Sequence, residues 1–208
     1  MLKVGIIIGS TRPTRVGDQV GKWVYERAMN TGKADFELID LKDFDLPLLN
    51  EKKSAAMGRE YYEHEHTKLW SKKIMECDCF IFITPEYNHG IPAALKNSLD
   101  YLYEEWNNKV CGFVGYGSAS GFRSVEAMRL VCAELQMATV RNQVALNLMT
   151  DFENLTKFKP ASSHEKKLNI LINDIVKWGE AMKNMRDEVN PVEYNRRTES
   201  TQASPSIH

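Results

Sequence analysis

The sequence predicts an α/β protein, a parallel sheet of five strands with helices on both faces. Strand-like and helix-like patterns alternate along most of the chain, the signature of a sheet wound with crossover helices. The run Phe80-Ile81-Phe82-Ile83 is apolar at consecutive positions, as a strand buried on both faces must be. The segment that follows it, Thr84-Pro85-Glu86-Tyr87-Asn88-His89-Gly90-Ile91-Pro92, is built from residues that fix a loop's path: prolines that set φ, and Asn88 and Gly90 that tolerate positive φ.

In chain order, Leu2 to Ile8 reads as the first strand and Arg15 to Asn30 as the first helix. Phe36 to Leu41 is the second strand. It feeds a segment, Lys42 to Arg59, that contains Pro47 and Gly58 and is longer than the usual connection, so it is expected to act as a lid or an interface loop. A helix is predicted from Tyr61 to Glu76, the central strand from Cys79 to Thr84 and a helix from Ile91 to Glu105, where Pro92 suits the first turn. Strand Val110 to Tyr116, helix Phe122 to Leu135 and a β-branched, alternating strand from Thr139 to Leu146 continue the pattern. A last helix, Ser162 to Met185, has Ser162 or Ser163 as its cap. Residues 1–186 thus form one domain. Residues 187–208 hold Pro191 and Pro205 and few large apolar side chains, and are expected to be disordered or draped over a partner.

Composition narrows the function. The 208 residues are 43% hydrophobic and 26% charged, with a net charge of -1, which fits a globular domain and gives no basic face for nucleic acid. Apolar runs such as Val4 to Ile8 are far shorter than the roughly 20 residues a membrane span needs, and the N-terminus reads as a strand rather than a signal peptide, so a cytoplasmic protein is expected. Cys77, Cys79, Cys111 and Cys132 make no Cys-x-x-Cys pair and read as small buried hydrophobes. His64 and His66, two apart on the predicted helix, point away from each other and argue against a metal site.

In a five-stranded parallel sheet, the loops after strands one, three and four share the carboxyl edge, where ligands of such sheets bind. The first loop, Gly9-Ser10-Thr11-Arg12-Pro13-Thr14-Arg15-Val16-Gly17, is neither a Walker loop nor Gly-x-Gly-x-x-Gly. It brings hydroxyls, an arginine and helix amino-terminal amides to one point and carries no carboxylate. Those groups suit a phosphate monoester; the plain alternative is an ordinary helix start capped by Thr14, with Arg12 and Arg15 solvated. The third loop presents Tyr87, a flat ring on a rigid turn. The fourth, Tyr116-Gly117-Ser118-Ala119-Ser120-Gly121-Phe122, is small enough for backbone to approach a flat ligand. An anion site beside a ring and two close-packing loops describes a pocket for a phosphorylated planar cofactor.

With those three loops in that order, and with Leu95-Lys96-Asn97 and Asp100 following Pro85-Glu86-Tyr87-Asn88, the chain resembles the NADPH-dependent FMN reductase family over roughly Lys3 to Leu146. The resemblance implies a flavodoxin-like three-layer sandwich with strand order 2-1-3-4-5. It implies that Ser10, Arg12 and the amides up to Val16 and Gly17 hold the FMN phosphate. Pro85, Glu86, Tyr87, Asn88 and His89 would run along the flavin, with Tyr116, Gly117, Ser118 and Gly121 on its other side. Such a protein takes a hydride from NADPH or NADH and passes two electrons to a quinone, an azo compound, free flavin or a similar small acceptor, the flavin supplying the chemistry. The alternative is a flavodoxin-type electron carrier without nicotinamide activity. His89 is the candidate proton donor or substrate contact, and otherwise a residue that sets the turn. The resemblance further implies a homodimer or homotetramer, to whose surface Leu99, Tyr103 and Trp106, at helical spacing, contribute if they are not core.

Overall fold

A computed structural model of the chain describes residues 1–188. Five strands, β1 (Lys3–Ile8), β2 (Asp35–Asp40), β3 (Cys79–Pro85), β4 (Val110–Gly117) and β5 (Ala138–Asn147), form one parallel sheet in the order β2-β1-β3-β4-β5. The expected fold class and strand order are therefore observed. The helices are α1 (Gly17–Met29), α2 (Glu65–Met75), α3 (Ala93–Asp100), α4 (Phe122–Glu134) and α5 (Ser163–Glu188), the last running past the boundary expected at residue 186. The tail expected from 187 otherwise lies outside the described residues.

Alternation along the strands sorts side chains into two cores. Val4, Ile6, Ile81, Ile83, Val110 and Val114 face α1 and α5, packing on Val20, Val24, Leu168 and Ile172. The intervening residues Ile7, Phe80, Phe82, Cys111 and Phe113 face α2, α3 and α4, packing on Trp70, Leu99, Trp106 and Met128. Every residue of β3 and of β4 is buried, which explains why β3 reads as an unbroken apolar run. The four cysteines are free and buried in these cores, and burial pushes the Cys77 thiol up to about 11.

Two expectations change, and one element is new. The helix expected from Ile91 to Glu105 stops at Asp100, and Leu99 and Trp106 belong to the core, with Tyr103 packed against it, so none of the three is a free face for a second subunit. Glu105 explains the stop. Its carboxylate is buried and accepts the Tyr103 backbone N–H at 3.3 Å, the Tyr62 hydroxyl at 3.2 Å and the Ser71 hydroxyl at 2.5 Å, fixing a non-helical turn. Next, His64 lies outside α2 at its N-cap, so its ring stacks on that of His66 at 5.1 Å instead of pointing away. Last, a small hairpin of β6 (Phe152–Glu153) and β7 (Lys157–Phe158) follows β5, with Phe158 edge-on to Trp23 of α1. Two-residue strands carry no periodicity to read.

The segment expected as a lid or interface loop is a chain of short 3-10 turns at Leu41–Phe44, Ala55–Met57 and Arg59–Tyr61. Side chains from α3 and beyond pin it: Asn97 donates to Pro47 O at 2.6 Å and accepts from Leu49 N at 2.9 Å, while the Tyr101 hydroxyl donates to Pro47 O at 3.1 Å.

Gly112 in β4 marks a close approach of α5 to the sheet, since a Cβ there would sit 2.6 Å from Leu171 and 2.9 Å from Ile175. Gly112→Val therefore overpacks this contact, and chemical denaturation is expected to show a loss of about 1–3 kcal/mol.

Candidate functional site

The carboxyl ends of β1, β3 and β4 bring the three loops together. In register, Ile8 stands beside Ile83, and Pro85 beside Tyr116. Gly9 N–H donates to Ile83 O at 2.9 Å, and the Ser10 and Tyr87 hydroxyls are hydrogen-bonded at 2.8 Å, joining the first loop to the third. Glu86 N–H donates to Tyr116 O at 3.0 Å, joining the third to the fourth.

The first loop is exposed at Thr11, Arg12 and Thr14, and α1 begins beneath it with Val16 as an N-cap that supplies no side-chain hydrogen bond. Thr14 is therefore not the cap. Arg12 makes no ion pair among the described residues, and its guanidinium lies 5.8 Å from the centre of the Tyr87 ring. Arg15 behaves in the opposite way. Its side chain is buried, pairs with Asp40 at the end of β2 and with Asp18, and donates to Ser10 O. Sequence reading treated Arg15 as solvated in one alternative and missed this role, because its partner is set by the register that places Asp40 beside Ile8. Gly17 starts α1 directly over Tyr116: a Cβ there would lie 2.8 Å from the Tyr116 hydroxyl, which is buried and has no hydrogen-bond partner among the described residues. Val16 and Tyr116 are themselves buried, so they support the loop from below.

The third loop is locked on itself. Tyr87 and Gly90 exchange backbone hydrogen bonds at 3.2 and 3.1 Å, and Asn88 and His89 between them adopt the left-handed conformation with φ of 48° and 75°. The Glu86 side chain, 5% exposed, turns toward α4: it accepts the Arg123 N–H at 3.1 Å and pairs with the Arg123 guanidinium, which also contacts His89 Nδ1 at 2.8 Å. Arg123 was not anticipated, though its place in the first turn of the helix after the glycine-serine loop is a usable signal.

The fourth loop depends on glycine. Gly121 has φ of 71°, and a Cβ there would stand 2.5 Å from Tyr116 N. Asn147, at the end of β5, donates to Ser118 O at 2.9 Å and holds this loop from the far side. Asp151 accepts the Asn147 N–H at 2.8 Å and sits 3.0 Å from His164 Nε2, a buried support that sequence reading did not find. A cleft of about 300 Å³ adjoins the first loop between Thr11, Lys42, Asp45, Ala94 and Ser98.

These residues fit a phosphorylated flat ligand. The donor set around Arg12 has an uncapped helix start and no carboxylate free of Arg15, and Gly17, Gly117 and Gly121 let the three loops pack directly on Tyr116 and Glu86. Strand order, edge position and donor chemistry together are those of the flavodoxin-like flavoproteins. Within that class, the chain belongs to the NADPH-dependent FMN reductase family, whose model matches residues 2–151. An NAD(P)H-dependent FMN reductase of Schizosaccharomyces pombe is 39% identical over 149 residues, covering 72% of this chain and 74% of its own length. A quinone reductase of Pseudomonas putida is 28% identical over 141 residues, 64% of this chain and 71% of its own. The solved structure of a flavoenzyme NAD(P)H:(acceptor) oxidoreductase from Paracoccus denitrificans shares the fold with a TM-score of 0.68 at 19% identity, covering 88% of this chain and 99% of that one. Family membership decides for an enzyme over the pure electron carrier. Among the described residues no helix is long and apolar enough to cross a membrane.

The Arg15–Asp40 pair has a pH signature. Burial alone would raise the Asp40 carboxyl, but the Arg15 guanidinium and the Lys42 N–H outweigh it and hold it below its ordinary value. A carboxyl depressed in the folded state stabilises fully above the unfolded aspartate value of about 4, and that stability is lost as pH falls through the lower folded value. Asp40→Asn is expected to cost about 1.5–3 kcal/mol at pH 7, the scale of a hydrogen bond to a charged group, and to flatten the acid limb of a stability-against-pH curve.

Proposed function

We propose that this chain binds FMN at the three-loop edge and uses NADPH or NADH to reduce a small planar acceptor, with quinones as the leading class. The observation that carries the reading is Arg12: an exposed guanidinium, unpaired among the described residues, on a carboxylate-free loop and held beside the Tyr87 ring that is itself tied to Ser10. The names of the relatives support it, since a quinone reductase and an FMN reductase are both among them.

Each loop has a distinct task. Ser10, Arg12 and the α1 amides from Val16 to Gly17 take the phosphate, the dipole and the guanidinium both favouring the anion. Arg15 is engaged by Asp40 and Asp18, so it shapes the loop rather than meeting the ligand. In the third loop the N–H groups of Glu86, Tyr87 and Gly90 are committed to internal bonds, which leaves Asn88 and His89 to offer amides to polar edges of the ring. Pro85 and the Glu86 side chain hold that loop in place. Gly117, Ser118 and Gly121 close the opposite side, with Tyr116 beneath. Bound FMN supplies two-electron acceptance and donation; the protein orients the reactants and excludes competing encounters.

We also propose self-association. Of the exposed apolar side chains, we assign to the second copy those on the pinned segment, Leu48, Leu49 and Met57, of which Leu48 is 81% exposed.

Arg12→Ala is expected to weaken FMN by about 1.5–3 kcal/mol in a fluorescence titration; unchanged affinity would remove Arg12 from the phosphate site. Anaerobic NADPH should bleach the visible flavin band of the FMN-loaded protein, and a band that persists would refute the nicotinamide-linked reading.

A further inference from the structure

Arg123 reaches from the first turn of α4 to the third loop and engages it three times. Its guanidinium pairs with Glu86 Oε1, its backbone N–H donates to Glu86 Oε2 at 3.1 Å, and its NH1 lies 2.8 Å from Nδ1 of His89. A guanidinium has only donors and stays protonated in proteins, so Nδ1 of His89 must be the acceptor. The ring proton is then on Nε2. That nitrogen has no partner among the described residues, and His89 is exposed on a backbone fixed at φ 75° by the Tyr87–Gly90 exchange. The neighbouring carboxylate, Glu86, is already occupied by Arg123 on both oxygens.

We infer that Arg123 is a positioning residue, which holds His89 as a neutral Nε2–H hydrogen-bond donor to the carbonyl oxygen of the electron acceptor. The inference rests on the proposed quinone reduction and assigns the polar contact for that substrate. It also chooses between the roles considered for His89, taking substrate contact over proton donor. A second proton on the ring would displace the guanidinium from Nδ1 and set two cations side by side. Reduction of a quinone to the hydroquinone takes a hydride that derives from NAD(P)H, which becomes NAD(P)⁺, and one proton from solvent. His89 keeps its proton and stabilises the oxygen on which negative charge grows. Ferricyanide, two ions of which take the same two electrons, has no such oxygen and serves as the control acceptor.

The test uses the FMN-loaded protein with NADPH and two acceptors, benzoquinone and ferricyanide. The ratio of kcat/KM for benzoquinone to that for ferricyanide is expected to fall about tenfold in His89→Ala, in Arg123→Ala and, to the same level, in the double variant, as one hydrogen bond acting through one chain of contacts requires. Equal losses with both acceptors in Arg123→Ala, or losses that add in the double variant, overturn the inference. Independently, two-bond nitrogen–proton NMR of ¹⁵N-histidine-labelled wild-type protein is expected to place the His89 proton on Nε2; a proton on Nδ1 overturns it. The NMR measurement needs no variant, so it decides the tautomer even where Arg123→Ala does not fold. If NADPH fails to reduce the loaded wild type at all, the proposed function fails, while the tautomer is still read.

Discussion

The carboxyl edge of the sheet is organised around one buried guanidinium. Arg15 lies under the first loop, bonded to Ser10 O on one side and to Asp40 on the other, so the path of the loop is set by the end of the neighbouring strand. A charge this far from water is tolerable only when it is paired, and Asp40 and Asp18 supply the opposite charges, Asp40 taking hydrogen bonds from both terminal nitrogens. By absorbing both carboxylates of the neighbourhood, Arg15 leaves Arg12 the exposed cation of the loop. Two arginines three residues apart thus divide the work: one builds the site and the other faces it.

A second arginine-centred contact serves the third loop. Glu86 reads as a candidate ligand contact in the sequence, yet its side chain is turned to α4 and only 5% exposed. Its effect is to fasten the start of α4, and with it the glycine-serine loop, to the strand-to-helix turn at Tyr87. Asn147 and Asp151 perform the same task from β5, so the fourth loop is held from both neighbouring strands. The loop residues proposed to meet a ligand are therefore rigid through contacts made by side chains turned away from it.

The sheet was legible because burial acts locally on pattern. Phe80 to Ile83 could be apolar throughout only in a strand covered on both faces, and the helices flanking it show their own period. Loop chemistry was legible as well, since Gly, Pro, Asn and Ser restrict φ wherever they stand. The failures share a cause. Arg15 looked solvated in one reading, the helix after Pro92 looked longer than it is, and His64 and His66 looked divergent, because each outcome depends on a partner distant in sequence: Asp40, the Tyr62 and Ser71 donors gathered by Glu105, and Glu51, which accepts the His64 N–H outside α2.

By itself the sequence determined the class of sheet, which loops share its edge, and the groups those loops offer, because periodicity and backbone preference are properties of neighbouring residues. Tertiary structure alone decided which of those groups is free. Strand register put Asp40 beside the first loop, and the packing of α4 put Arg123 on Glu86 and His89. Hydrogen bonds and ion pairs saturate, so a side chain's availability to a ligand is fixed by what else has reached it, and that is a property of the folded chain.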